Sequence, residues 1–241
     1  TFTKALSFSK EDLSRAEGEV VSIEGAALNV TAQQVELFLS TEKRSLAYPA
    51  DIVEYQKPGT GVWSIDVMTA PTIPELADAE VKPLIQSKEP EYLHVKDPVV
   101  HIGEDGNTVL IFCTHPFTWS SSNPAYSVRE PKGDRFGEPV FDFFRRGFTW
   151  DVAATRVTDV LSLASRVVGT EETVQLVFYD GAECLRPHEE NPAAVSRPRG
   201  FSCEEVGGLA VTTNDRLDEL QRVSTLRPLF TSPAGTGSSR Y

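Results

Sequence analysis

The chain has 241 residues, 40% apolar and 24% charged, which sets it apart from disordered sequences and leaves room for one large all-β domain or two small ones. Asp and Glu outnumber Lys and Arg by 35 to 23, a formal charge of −12, and no long basic run offsets it, so nucleic acid is excluded as an expected partner. No segment reaches the roughly 18 consecutive apolar residues of a spanning helix, and no membrane partner is expected.

The first residues, Thr1-Phe2-Thr3-Lys4, show no signal-peptide pattern and no initiating Met, which fits removal of a leader or a longer upstream segment. Helical periodicity is nearly absent. Short β-branched or aromatic runs, punctuated by Gly, Pro, Asn and Asp, predict strands at 35–39, 62–67, 109–112, 174–179 and 209–212. Between 91 and 115 two strands are joined by Glu104-Asp105-Gly106-Asn107, which is turn chemistry. The first of these strands places Asp97 among Leu93, Val95, Val99 and Val100, an unusual position for a carboxylate. Cys113, Cys184 and Cys203 are widely spaced and read as small core residues, neither a disulfide framework nor a zinc site.

Two patterns repeat. Segments 6–23, 65–85 and 209–230 each read as an apolar strand ending in Ser or Thr, a polar turn with a Leu, and a return strand. Segments 22–41, 94–114 and 149–180 each hold an acid on a first strand (Glu24, Asp97, Asp151), then a turn and an apolar strand. These are the outer and inner halves of four-stranded propeller blades, whose first strands line a central channel. The expected fold is therefore all-β, a five-bladed β-propeller of four-stranded antiparallel blades. About three blades are visible, at roughly 19–85, 90–145 and 147–232, fewer than the usual 4–8 of a closed ring. The chain is read as a single propeller domain, 1–241, incomplete at one or both ends. A β-sandwich is the fallback.

The inner-strand acids in "IEGAALN" and "KDPVV", together with "GTGVWSIDVMTA", resemble five-bladed β-propeller glycosidases of the arabinanase and β-xylosidase, invertase and mannoside phosphorylase types. Lys96-Asp97-Pro98 is similar to the invertase group's Arg-Asp-Pro, which implies that Asp97 stabilises the transition state. Glu24-Gly25 is similar to the start of the xylosidase group's Glu-Gly-Pro, which implies a general acid, although Ala26 stands in place of the proline. Glu24 also precedes Asp97, the reverse of the family order, and the family's first catalytic aspartate has no counterpart.

Glycoside hydrolysis needs two carboxylates flanking the scissile bond, one to donate a proton and one to stay ionised. Asp97, Glu24 and Asp151 are the catalytic candidates; the structural alternative for Asp97 is pairing with Lys96 or capping a turn. Trp119 and His115, in the loop-like "HPFTWSSSNPAY", are candidate substrate contacts. So are Asp180 and Glu183 in "FYDGAECLRPHEE", read as a loop beginning at a strand end, and Arg240, suited to a carboxylate or phosphate. His94, opposite Asp97 by strand alternation, is expected to pack. No Gly-rich phosphate loop, nucleophile elbow, HExxH or EF-hand spacing occurs, so no cofactor or metal is expected. The expected partner is an oligosaccharide or glycoside substrate. The alternative is a non-catalytic propeller that binds glycans or acts as a scaffold.

Overall fold

The computed structural model describes residues 3–14, 18–56, 58–115, 121–187 and 201–230, with backbone alone at 183–187 and 201–204. It is all-β, with antiparallel sheets of three and four strands. The first sheet runs β1 (Val20–Val30), β2 (Val35–Lys43), β3 (Val62–Ala70) and β4 (Lys82–Ile85) in chain order. The second holds β5 (His94–Ile102), β6 (Thr108–His115) and β7 (Asn123–Arg129). The third places β8 (Ala154–Leu163), β9 (Val174–Pro187), β10 (Phe201–Thr213) and β11 (Gln221–Arg222) side by side. The three sheets fall inside the three windows read as blades. The β5–β6 turn forms where Glu104-Asp105-Gly106-Asn107 predicts it, with Gly106 at φ +79°.

Local chemistry explains why the strands start and stop where they do. β2 and β3 are central strands and are buried almost throughout. Pro83 sits in β4, which ends the sheet order as an edge strand, the place in a sheet where proline is tolerated. In the middle sheet, Val140 exchanges both backbone hydrogen bonds with Tyr126 of β7, at 3.1 and 2.8 Å, so an isolated bridge stands where a fourth strand was expected.

Two readings are corrected. Among its described residues, segment 6–23 holds no strand pair: Ser9 and Asp12 form a capping box, Ser9 Oγ accepting Asp12 N–H at 3.2 Å and Asp12 Oδ2 accepting Ser9 N–H at 2.9 Å. That box starts a helical turn, α1 (Lys10–Leu13), which buries Leu13. Segment 178–190 does not begin as a loop, because β9 continues to Pro187 in register with β10.

The chain divides into two compact units, 1–100 with 114–119, and 101–113 with 120–241. In the first, Leu13, Val20, Val35, Leu39, Met68 and Leu76 form one apolar cluster, and Tyr48, Ile52, Val62 and Leu93 form another. In the second, Val157, Val177, Tyr179, Ala182 and Ala210 are buried along the third sheet.

Candidate functional site

Glu24 lies on β1 and Asp97 on β5, each on the first strand of its sheet. β1 carries an irregularity between Glu24 and Ala26, and Gly25 there adopts φ +41°. That bulge makes room for Asp97. A methyl group on Gly25 would stand 2.8 Å from Asp97 Oδ1 and 2.9 Å from its Cα. Asp97 itself is left-handed, at φ +56°, a conformation Asp tolerates better than most residues. Its N–H donates to Ser40 Oγ of β2 at 2.8 Å, a bond worth roughly 1 kcal/mol that offsets part of the strain.

The left-handed residue also changes what β5 presents. In a regular strand Lys96 and Asp97 would point to opposite faces. Here their charged ends lie 4.0 Å apart, and Lys96 Nζ donates to Glu24 Oε2 at 2.6 Å. The ammonium also stands over the Trp63 ring, 5.2 Å from its centroid. The lysine side chain is 9% exposed, against 34% for Glu24 and 21% for Asp97, so the cation is enclosed while both acids keep an open side. Because both carboxylates approach one nitrogen, their facing oxygens are no farther apart than those two distances laid end to end. That ceiling bounds one oxygen pair, and it is compatible with the ~5–5.5 Å carboxyl separation of retaining glycosidases and with the roughly 6.5–9.5 Å of inverting ones.

Behind this pair lies a buried aromatic layer. His94 Nδ1 accepts the Trp63 backbone N–H at 3.3 Å, which leaves Nε2 to donate to Tyr48 Oη at 2.6 Å. Burial first, then the charge of Lys96, pushes the His94 pKa from 6.5 down to about 4, so the ring is neutral. Burial, with Glu42 adding to it, raises the Tyr48 phenol. His94 thus packs, as strand alternation predicts. His115 ends β6, is buried, and meets the His94 ring edge-on at 6.4 Å. One of its ring nitrogens lies within 4.8 Å of an Asp97 carboxylate oxygen. Imidazole and carboxylate are donors suited to a divalent cation, though such proximity is not by itself a metal centre.

Asp151 departs from the expectation of an inner-strand acid. It precedes β8, is fully buried, and belongs to the second unit. Its Oδ2 accepts from Arg222 Nε at 2.8 Å and from Tyr179 Oη at 3.2 Å. Trp150 stacks on Tyr179 at 5.6 Å, and Arg222 lies 4.2 Å from the Phe144 ring centroid. Asp151 is wholly enclosed in this packed ion pair, while Arg222 keeps a part-exposed side. Asp180 is buried on β9 in the wall of a cavity of about 280 Å³ that Phe178 and Phe230 also line. The Glu183 side chain, Trp119 and Arg240 lie outside the described residues. The approach of Lys96 to Asp97 matches the pairing given above as the structural alternative for Asp97, whereas the bond of Lys96 to Glu24, far away in the chain, has no sequence signal.

No protein-family model and no curated protein matches the chain. Solved structures do match it in fold. A family 117 glycoside hydrolase of the marine bacterium Zobellia galactanivorans superposes with a TM-score of 0.59 at 14% identity, covering 96% of this chain and 62% of that one. An N-acetylgalactosamine deacetylase from F. plautii, in complex with blood group B trisaccharide, gives a TM-score of 0.50 at 10% identity, covering 92% and 58%. The chain therefore spans about three fifths of the length of these neighbours, and the likeness is one of fold.

Proposed function

We propose that this chain belongs to a carbohydrate-active enzyme built on a five-bladed β-propeller, in which Glu24 and Asp97 flank a glycosidic bond and cleave it. The observation that carries this reading is the meeting of two part-exposed carboxylates, from the first strands of two sheets, around one enclosed ammonium. Likeness of fold to a glycoside hydrolase and to a deacetylase seen with a bound trisaccharide supports a saccharide substrate. Asp97 is the residue that stabilises developing positive charge, and Glu24 is the proton donor, which requires it to take up a proton in exchange for its bond to Lys96. Asp151 is left to the packing of the second unit. Trp119, Glu183, Arg240, His115 and Asp180 remain proposed substrate contacts, with Arg240 the anion-binding group if the bond is broken by phosphate. The test is turnover of a panel of aryl glycosides and oligosaccharides by the wild type, Glu24→Gln and Asp97→Asn proteins. Wild-type turnover that both variants lose supports the reading; wild-type rates in both variants refute it.

A second reading, a glycan-binding propeller without turnover, is favoured by one observation: Glu24 is already engaged by Lys96 at 2.6 Å. Saturable oligosaccharide binding with no product would select it.

A further inference from the structure

We propose that Lys96 is the positioning residue of this site, its ammonium tethering the Glu24 carboxylate of β1 to the Asp97 carboxylate of β5 and so fixing their separation. The inference rests on the catalytic reading above for its consequence, but on geometry alone for its substance. Lys96 Nζ is 2.6 Å from Glu24 Oε2 and 4.0 Å from Asp97 Oδ2, while its stem is enclosed. Trp63 of β3 supplies the face on which the cation rests, and the Trp63 backbone N–H donates to His94 Nδ1. Among the described residues, the charged and titratable groups placed around the ammonium are Glu24 from β1 and Asp97 and His94 from β5, with His115 of β6 next to Asp97 and His94. His94 is uncharged near neutral pH and adds no second positive charge beside the ammonium. Glu24 and Asp97 belong to different sheets, and no backbone ladder between β1 and β5 sets their spacing. An enclosed cation between the two carboxylates, beside the close contact of Gly25 with Asp97, holds that spacing. Lysine is also short of the five-donor fork that would lock one carboxylate bidentately, which suits a cation shared between two.

The experiment reads Lys96 directly and then through catalysis. An enclosed, hydrogen-bonded ammonium gives a slowly exchanging Nζ–H signal in ¹⁵N NMR of the full chain, assigned by its loss in Lys96→Met. The signal is expected to move in Glu24→Gln and also in Asp97→Asn, because both acids hold it. A signal indifferent to Asp97→Asn overturns the shared tether. In kinetics, Lys96→Met should lower kcat by roughly 10²-fold with KM changed much less, as misplacement of catalytic groups does, and Lys96→Arg should restore part of kcat. Wild-type kcat in Lys96→Met likewise overturns the proposal. If no glycoside is turned over by the wild type, the glycosidase reading fails, and the ammonium signal still decides the role of Lys96. Should Lys96→Met fail to fold, loss of the signal in Lys96→Arg assigns it, and its response to the two carboxylate variants carries the test.

Discussion

Gly25 and Asp97 fit together with no space for a side chain between them: a β-carbon on Gly25 would press on Asp97 Oδ1 at 2.8 Å and on Ser40 Oγ at 3.2 Å. Gly25 also sits at φ +41°, where alanine is strained. Gly25→Ala is therefore expected to cost about 2 kcal/mol or more and to displace Asp97. Urea unfolding measures the first effect, and lost turnover at a temperature where the variant is folded measures the second. A variant as stable and as active as the wild type removes Gly25 from the account.

Asp97→Asn keeps the shape of the residue and its tolerance of the left-handed conformation, so the fold should persist. Turnover should fall by 10²-fold or more, on the order expected when a preorganised charge is lost. A structural Asp97 gives the opposite pattern, a stability loss of about 1–3 kcal/mol with kcat nearly intact in the folded fraction. Melting temperature and kcat taken on one preparation separate the two.

Arg222→Met should be among the most damaging single changes in the second unit. It strands a fully buried Asp151 carboxylate without its cation, a loss of about 3–5 kcal/mol. Adding Asp151→Asn should recover part of that loss, because the uncompensated charge is gone. Chemical denaturation of the three proteins checks the sign of the coupling; simple additivity would show that the pair does not act as a unit.

His94 gives stability a pH dependence of defined sign. Its folded pKa, about 4, lies below the ordinary 6.5, so the unfolded chain takes up a proton in that interval that the folded chain refuses. The contribution of the neutral ring is complete above about pH 6.5 and is lost as pH falls toward 4, on the order of 3 kcal/mol in all. His94→Gln should show a flatter fall in unfolding free energy between pH 6.5 and 4 than the wild type. Parallel curves across that window rule His94 out as the cause.

The strand order was legible because it is written locally: alternation and turn residues such as Gly106 and Asn107 act over a few positions, and three sheets appear where three repeats stand. Pairing of Glu24 with Asp97 was legible only as two similar inner-strand acids. What joins them was not, because the 2.6 Å contact of Lys96 with Glu24 links residues far apart in sequence. Asp151 was misplaced for the same reason: it sits three residues before β8 begins, and its partner Arg222 lies at the other edge of the sheet, so nothing near it in sequence announces a buried ion pair. The capping box of Ser9 and Asp12 was a readable helix signal, overridden by the appearance of a repeat.

The left-handed backbone at Asp97 narrows what heredity can put there. Glycine, asparagine and aspartate accept φ near +56° at little cost, whereas most side chains do not. Asparagine is one base change from aspartate in the genetic code. A lineage released from the need for the carboxylate can therefore exchange it in one step and keep the backbone, the Ser40 contact and the fit against Gly25. Active and silent descendants of this fold would then differ at a single letter, with no trace of decay in the sheets around it.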